Sequence, residues 1–300
     1  MKATVACIPC MMRQAFLAAR HCGGDPTLHK QVLDEAMRRY LALEDPLGIT
    51  PGELSQVAYE ACRDVMGVHD PYLHEKRSCN EKVMELYPEL KARLDQSADP
   101  LADALLLAMA GNIIDLGIDQ PYDLTEDVIK QMDRGFDVQE LEQFRHALSG
   151  AKSILYLADN AGEIGFDRLL IEVLGPDRVT LMVKAGPIVN DAMLADAQQV
   201  GLTDIVRVVD TGSNYFGFPW HIVSRQAREQ FRTADLVISK GHANFETVSE
   251  LGPEEHSGIW YLLKVKCEDV AIAVPAASLG DVVLISHATV KAGRAPATGD

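Results

Sequence analysis

Two textures divide the chain. Up to about residue 149, apolar side chains recur every three or four residues, the spacing of amphipathic helices. Met11 to Arg20 fits one helix and residues 28–43 a second. Thr50-Pro51-Gly52-Glu53 is a capping box with proline at the first helical position, so a third helix should run from Pro51 to about Met66. Asp70-Pro71-Tyr72 restarts the chain before a long polar helix that carries Glu75, Lys76 and Asn80 towards Leu94. Asp99 to Leu116 is more apolar and ends near Gly111-Asn112-Ile113-Ile114-Asp115. Thr125 reads as a further N-cap, with Val128, Ile129 and Met132 on one face.

After Ser149-Gly150 short apolar runs alternate with helical segments. Candidate strands are 153–158, 178–184, 205–209, 235–239, 259–265 and 281–286, and helices fit 164–174, 191–200 and 220–232. Unbroken apolar runs such as Ile154-Leu155-Tyr156-Leu157-Ala158 belong to strands buried on both faces, and their alternation with helices predicts an α/β fold with a parallel sheet covered on both sides. The expected division is residues 1–149, all helical, and 150–300, α/β. The tail from Ala292 to Asp300 is small and polar and is expected to be loose.

Charge narrows the function. A formal net charge of −16 argues against nucleic acid or an anionic membrane as the main partner. No apolar segment approaches the roughly 20 residues of a membrane span, and the N-terminus lacks a signal-peptide apolar region. The expected location is cytoplasmic. Six cysteines should then be mostly reduced thiols or metal ligands. Cys7-Ile8-Pro9-Cys10 is the one Cys-x-x-Cys pair, a candidate for soft-metal or redox chemistry or simply two thiols near a helix start, with Cys22, Cys79 and Cys267 isolated.

The strand ends collect the chemistry. Asp159-Asn160 closes the first run, Asn190-Asp191 follows the second, and Lys240-Gly241-His242-Ala243-Asn244 follows the fourth. In a parallel sheet these ends share one edge, where open α/β sheets bind ligands. Asp159, Asn160 and Asp191 offer hard oxygen ligands suited to a divalent cation with open positions for water and phosphate, and Lys240 can pair with phosphate charge. The Gly212-Ser213 turn is a candidate anion-binding turn, and His242 a candidate proton donor. Each has a plainer reading: Asp-Asn and Asn-Asp as helix caps, Lys240 as a surface lysine, the glycines as loop formers. Gly162 and Gly165 do not complete a dinucleotide Gly-x-Gly-x-x-Gly, and neither a Gly-Lys-Ser/Thr P-loop nor a Gly-x-Ser-x-Gly elbow occurs.

Asp159-Asn160-Ala161-Gly162-Glu163 with Phe166-Asp167 resembles the signature of the metal-dependent damage-control phosphatase family, the ARMT-like proteins. Asp70-Pro71-Tyr72 with Lys76 and Asn80, Gly111 to Asp115, Asn190-Asp191-Ala192, Ser239-Lys240-Gly241 with Asn244-Phe245-Glu246, and Lys264-Val265-Lys266-Cys267 resemble further family blocks in family order. The resemblance implies a helical domain packed on a three-layer α/β/α domain with a mostly parallel, Rossmann-like sheet. It implies Mn²⁺, Mg²⁺, Co²⁺ or Ni²⁺ held by Asp159, Asn160 and Asp191, catalysis by these with Lys240, and a small phosphorylated metabolite contacted by Glu163, Gly241, His242, Asn244 and Lys266, or Lys264 in its place. Asn80 and Asn112 either line the cleft or pair helices within their own half. The Cys-x-x-Cys is similar to the stand-alone prokaryotic branch, whereas the Arg-Thr-x-Lys signature of the eukaryotic branch is lacking. The expected activity is hydrolysis of sugar phosphates or damaged phosphorylated metabolites. A non-catalytic nucleotide- or phosphosugar-binding module with metal- or redox-sensing cysteines is the alternative, and a phosphoryl or methyl transferase the second enzyme reading. The oligomeric state is left open.

Overall fold

The computed structural model describes residues 1–110, 135–136 and 138–294. Asn112 with its Gly111 to Asp115 block, the Thr125 cap and residues 295–300 lie outside the described residues. Helices α1 (Cys7–His21), α2 (Pro26–Leu41) and α3 (Pro51–Met66) build the first layer. The capping box is formed as the sequence predicts: Thr50 Oγ1 accepts from Glu53 N while Glu53 Oε2 accepts from Thr50 N. Small residues let these helices approach closely, and Ala15, Ala18, Ala19, Leu54, Ala58 and Ala61 form a core of their own. Helices α4 (Leu73–Asp95) and α5 (Pro100–Ala110) follow, and α6 (Leu141–Gly150) leads into the sheet.

Among the described residues the sheet has seven strands: β1 (Val138–Gln139), β2 (Ile154–Leu157), β3 (Val179–Val183), β4 (Arg207–Asp210), β5 (Leu236–Lys240), β6 (Ile259–Lys264) and β7 (Val282–Ser286). Between them run α7 (Glu163–Leu174), α8 (Leu194–Gln199), α9 (Arg225–Thr233), α10 (His242–Val248), α11 (Glu268–Ala273) and, last, α12 (His287–Arg294). The spatial order is β1-β7-β6-β5-β2-β3-β4. All neighbours are parallel except β6 and β7, which pair antiparallel through Trp260↔Ser286 to Lys264↔Val282. The six long strands match the predicted runs to within two residues. Residues 292–294 of the expected loose tail are instead the last turn of α12, which continues through Arg294, and the rest of that tail lies outside the described residues.

Strand β2 shows why the runs are apolar throughout. Ile154 and Tyr156 face a core shared with Ile164, Phe166 and Leu169 of α7 and Leu105 of α5. Leu155 and Leu157 face the opposite core, with Phe231 of α9, Phe245 of α10 and Val290 of α12. Side chains alternate between faces, so a strand covered on both sides must be hydrophobic at every position. Each fully buried Leu, Ile or Phe contributes on the order of 1.5–3 kcal/mol. Val83, Leu90 and Leu94 of α4 belong to the first of these cores, so packing crosses the change in sequence texture near residue 150. Among the described residues, no helix is long and apolar enough to cross a membrane.

Candidate active site at the switch point of the sheet

The chain runs outward from β2 through β3 to β4, then returns to place β5 on the other side of β2. The crevice between the carboxyl ends of β2 and β5 is therefore the point where the strand order reverses, the usual ligand site of such sheets. Asp159 and Asn160 leave β2 there, and Gly241 leaves β5.

Asp191 is brought to the same place by backbone pairing. Ala192 N donates to Asp159 O at 2.8 Å and Ala161 N donates to Asn190 O at 2.8 Å, an antiparallel bridge between Asn160 and Asp191 just beyond the sheet. Neither segment caps a helix through its side chain. Asp191 lies three residues before α8, whose start is instead held by Asp196, which accepts from Met193 N at 2.9 Å. Val189, just before this segment, has φ 44°, a left-handed conformation that a β-branched residue holds only when its surroundings impose it.

The carboxylates are buried and crowded. Asp159, Glu163 and Asp191 are 6%, 3% and 4% exposed, too little for water to neutralise three charges. Burial, then the charges of Glu163 and Asp191, push Asp159 up to about 8. Burial likewise pushes Asp191 up to about 6, against the pull of Lys184. The Asp191 Oδ2 atom has no hydrogen-bond partner, its nearest cation being Lys184 Nζ at 3.5 Å. Asn160 Nδ2 donates to Asp159 Oδ2 at 3.0 Å and to Glu163 Oε1 at 2.8 Å, which leaves the amide oxygen as its ligand atom. Two crowded carboxylates, one with an orphaned oxygen, beside an amide oxygen are what a hard divalent cation requires. The donor set thus fits the expected ion, although among the described residues no three His, Cys, Asp or Glu side chains gather as a metal cluster.

The other expected residues take different places. Lys240 is fully buried, and its ammonium donates to Ala108 O at 2.9 Å, Asp167 Oδ1 at 2.9 Å and Glu163 Oε2 at 3.3 Å. Burial would lower it, but Asp167 and Glu163 outweigh that and hold it above its ordinary value. Its three N–H groups are thereby engaged, and it braces Glu163, which in turn holds Asn160. Asn244 Nδ2 donates to Ala158 O and Lys240 O at 2.9 and 2.7 Å, tying the ends of β2 and β5 together. Asn80 is a strut: its Nδ2 donates to Asp196 and Gln199, and its Oδ1 accepts from Gly162 N at 2.7 Å. His242 lies between Glu246, at 3.2 Å, and Cys267 Sγ, at 3.9 Å. Burial would lower this imidazole, but its hydrogen bonds to Cys267 and Glu246 raise it to about 9. Lys266 is exposed, and its charge acts on Asp159 across the crevice. The Gly212-Ser213 turn does not match the anion-binding expectation, because Gly212 N donates to Asp210 Oδ1 and Ser213 N to Thr211 Oγ1. Cys7 and Cys10 sit in the first turn of α1, Cys10 exposed.

Three groups escaped the sequence reading as parts of this site. Lys184 pairs with Asp191 and donates to Gly217 O. Asp167, fully buried, accepts from Lys240 and from Tyr156 OH at 2.7 Å. Tyr59 and Tyr72 line, with Gln56, Ile188, Val189 and Asn214, a small cleft of about 30 Å³ near Asp191. Lys184 and Asp167 had a signal, an ionisable residue flanked by runs that must be buried.

Gly241 shows how tight the crevice is. Its φ is +83°, and a Cβ there would stand 1.9 Å from Asp159 Oδ2. Gly241→Ala is expected to displace the Asp159 carboxylate and lower Tm by several degrees. Gly280→Ala, at φ +97° but in open space, isolates the backbone strain and should lower Tm less. Thermal denaturation of both compares the two effects, and equal losses would mean that Asp159 has room to move.

A family model described as the damage-control phosphatase ARMT1-like domain matches residues 3–280. Damage-control phosphatase PH1575 of Pyrococcus horikoshii is 31% identical over 285 residues, covering 93% of this chain and 97% of that protein. A protein of Archaeoglobus fulgidus named damage-control phosphatase is 28% identical, with 94% and 98% covered. The crystal structure of the DUF89 family protein from P. horikoshii superposes with a TM-score of 0.86 at 29% identity, over 96% of this chain and 99% of that one. The fold, the strand-end crevice and these matches agree, and the chain belongs to the damage-control phosphatase ARMT1-like family.

Proposed function

We infer that the protein is a divalent-metal-dependent phosphatase that hydrolyses small phosphorylated metabolites, sugar phosphates or damaged phosphorylated metabolites. The relatives named damage-control phosphatases support the phosphatase reading. The observation that carries the metal is the bridge that sets Asp159 and Asn160 against Asp191, with the orphaned Asp191 Oδ2 and the mutual crowding of the carboxylates. Asp159, Asn160 and Asp191 would hold Mn²⁺, Mg²⁺, Co²⁺ or Ni²⁺. Bound there, the ion would polarise a phosphoryl oxygen and offset charge developing in the transition state.

The chain's own groups do the rest. Lys240 and Glu163 fix the orientation of Asn160, and Lys184 fixes that of Asp191. Lys266, exposed at the rim, supplies a cation for the remaining phosphate charge. Tyr59, Tyr72 and Ile188 offer a small apolar wall near Asp191 against which the organic part of the substrate would rest. The net charge of −16 favours a small ligand drawn in by local cations over a polyanion, and the expected compartment is the cytoplasm. Cys7-x-x-Cys10 supports placement in the stand-alone prokaryotic branch.

Release of phosphate from p-nitrophenyl phosphate, measured with each cation and then with EDTA, tests this reading. Turnover should depend on the added ion and vanish on chelation. No turnover with any cation overturns it, and thermal stabilisation by phosphosugars without turnover would establish the binding-module alternative instead.

A further inference from the structure

Away from the crevice, two thiols of the helical layer meet. Cys22 follows the last turn of α1, Cys62 lies within α3, and their Sγ atoms are 3.7 Å apart across a 40-residue separation. The alanine-rich contact between the two helices holds them there. Cys62 is buried and Cys22 half-buried, so Cys22 is the more accessible of the two. The hydrogen bond with Cys62 holds the Cys22 thiol below its ordinary range, against the effect of burial. The pair also backs the cleft. Cys62 is part of its lining with Tyr59 and Tyr72, and His21, next to Cys22, stacks on Tyr72 at 4.1 Å between centroids.

We propose that Cys22 and Cys62 are a redox-active pair that closes to a reversible disulfide by exchange with a small-molecule disulfide of the glutathione class, pinning α1 to α3 behind the cleft wall. The exchange runs in two balanced steps. The Cys22 thiolate attacks one sulfur of the oxidant, breaking its S–S bond and releasing one thiol, which takes up a proton. The Cys62 thiol, giving up its proton, then attacks Cys22 Sγ, breaks the bond from Cys22 to the oxidant's sulfur and releases the second thiol, which takes up that proton. Two protein thiols are oxidised and one disulfide is reduced to two thiols. The sulfurs must close from 3.7 Å to about 2.05 Å, a displacement that the end of α1 can make more readily than the middle of α3. In reducing compartments such pairs are characteristically transient and redox-sensing.

The full-length protein is incubated with oxidised glutathione, quenched in acid, denatured and alkylated with N-ethylmaleimide for intact mass. The reduced chain has six thiols to label. Oxidation should remove two, join the peptides that carry Cys22 and Cys62, reverse with dithiothreitol, and raise Tm by about 3–8 °C through the constrained 40-residue loop. In Cys62→Ser, glutathione should remain on Cys22 as a mixed disulfide, because the resolving thiol is gone. Cys22→Ser should keep every remaining thiol and gain no stability. Full labelling of the oxidised wild type, a bridge between any other two cysteines, or an oxidised protein no more stable than the reduced one overturns the proposal. None of these readouts uses turnover, so they stand apart from the phosphatase reading.

Discussion

Asp191→Asn should lower metal-stimulated phosphate release about 10³-fold while leaving the protein folded. The size follows from what a metal site supplies, several kcal/mol of transition-state stabilisation, of which about 4 kcal/mol corresponds to that factor. Asn keeps an oxygen for Lys184 Nζ, now 3.5 Å from the carboxylate, so the buried lysine is not abandoned. It also removes a carboxylate that burial already disfavours in its charged form. Turnover alone would leave a folding defect as an explanation, so Tm is measured with and without Mn²⁺. Wild type should gain stability on adding the ion, as any ligand of the native state confers. The variant should melt near the metal-free wild type and gain little. Full turnover in Asp191→Asn, or an equal Mn²⁺ shift in both proteins, would remove Asp191 from the ligand set.

What the sequence disclosed and what it withheld divide along a physical line. Strands β2, β3, β5, β6 and β7 are legible because strands covered on both faces are apolar almost throughout and stop where polar residues begin, whereas the edge strand β4, Arg207-Val208-Val209-Asp210, shows only a short apolar centre. Asp159 and Asn160 follow from the same logic, since they are the first polar residues after β2, whereas Asp191 comes after Lys184 and a loop beyond β3 and reaches the site through its bridge to Asn160. The two-residue β1 has no pattern of its own and exists through pairing with Val283 and Leu284 of β7. The antiparallel setting of β7 is equally silent locally, because direction is fixed by the connection and not by composition. Lys240 marks the other limit. Its position at a strand end is readable, but whether the ammonium turns to solvent or inward depends on Asp167, Glu163 and Ala108 O, supplied by α7 and α5. Asn80 likewise has the composition of a cleft residue, and its use as a strut depends on Gly162, Asp196 and Gln199 meeting it from remote segments.

That inward turn of Lys240 leads to the largest expected effect on stability. Lys240→Met keeps the length of the side chain and removes the cation, leaving Asp167 and Glu163 buried without their shared partner. Breaking a buried pair in this way costs about 3–5 kcal/mol, a fall in Tm on the order of 10 °C. The pH dependence gives the effect its signature. Burial already lifts Asp167 to about 6 while Lys240 pulls it down, so without the lysine it rises further. A carboxyl group whose folded value lies above its unfolded one binds its proton more tightly in the native state, and stability is lost as pH rises through the folded value. The deficit of Lys240→Met relative to wild type should therefore be small near pH 5, where Asp167 is protonated, and large at pH 8. Adding Asp167→Asn, which keeps an acceptor for Tyr156 OH at the position now 2.7 Å away, should recover part of the loss and flatten its pH dependence. A deficit equal at pH 5 and pH 8, or a double variant as unstable as the sum of the two single ones, would show that Asp167 and Lys240 do not compensate each other.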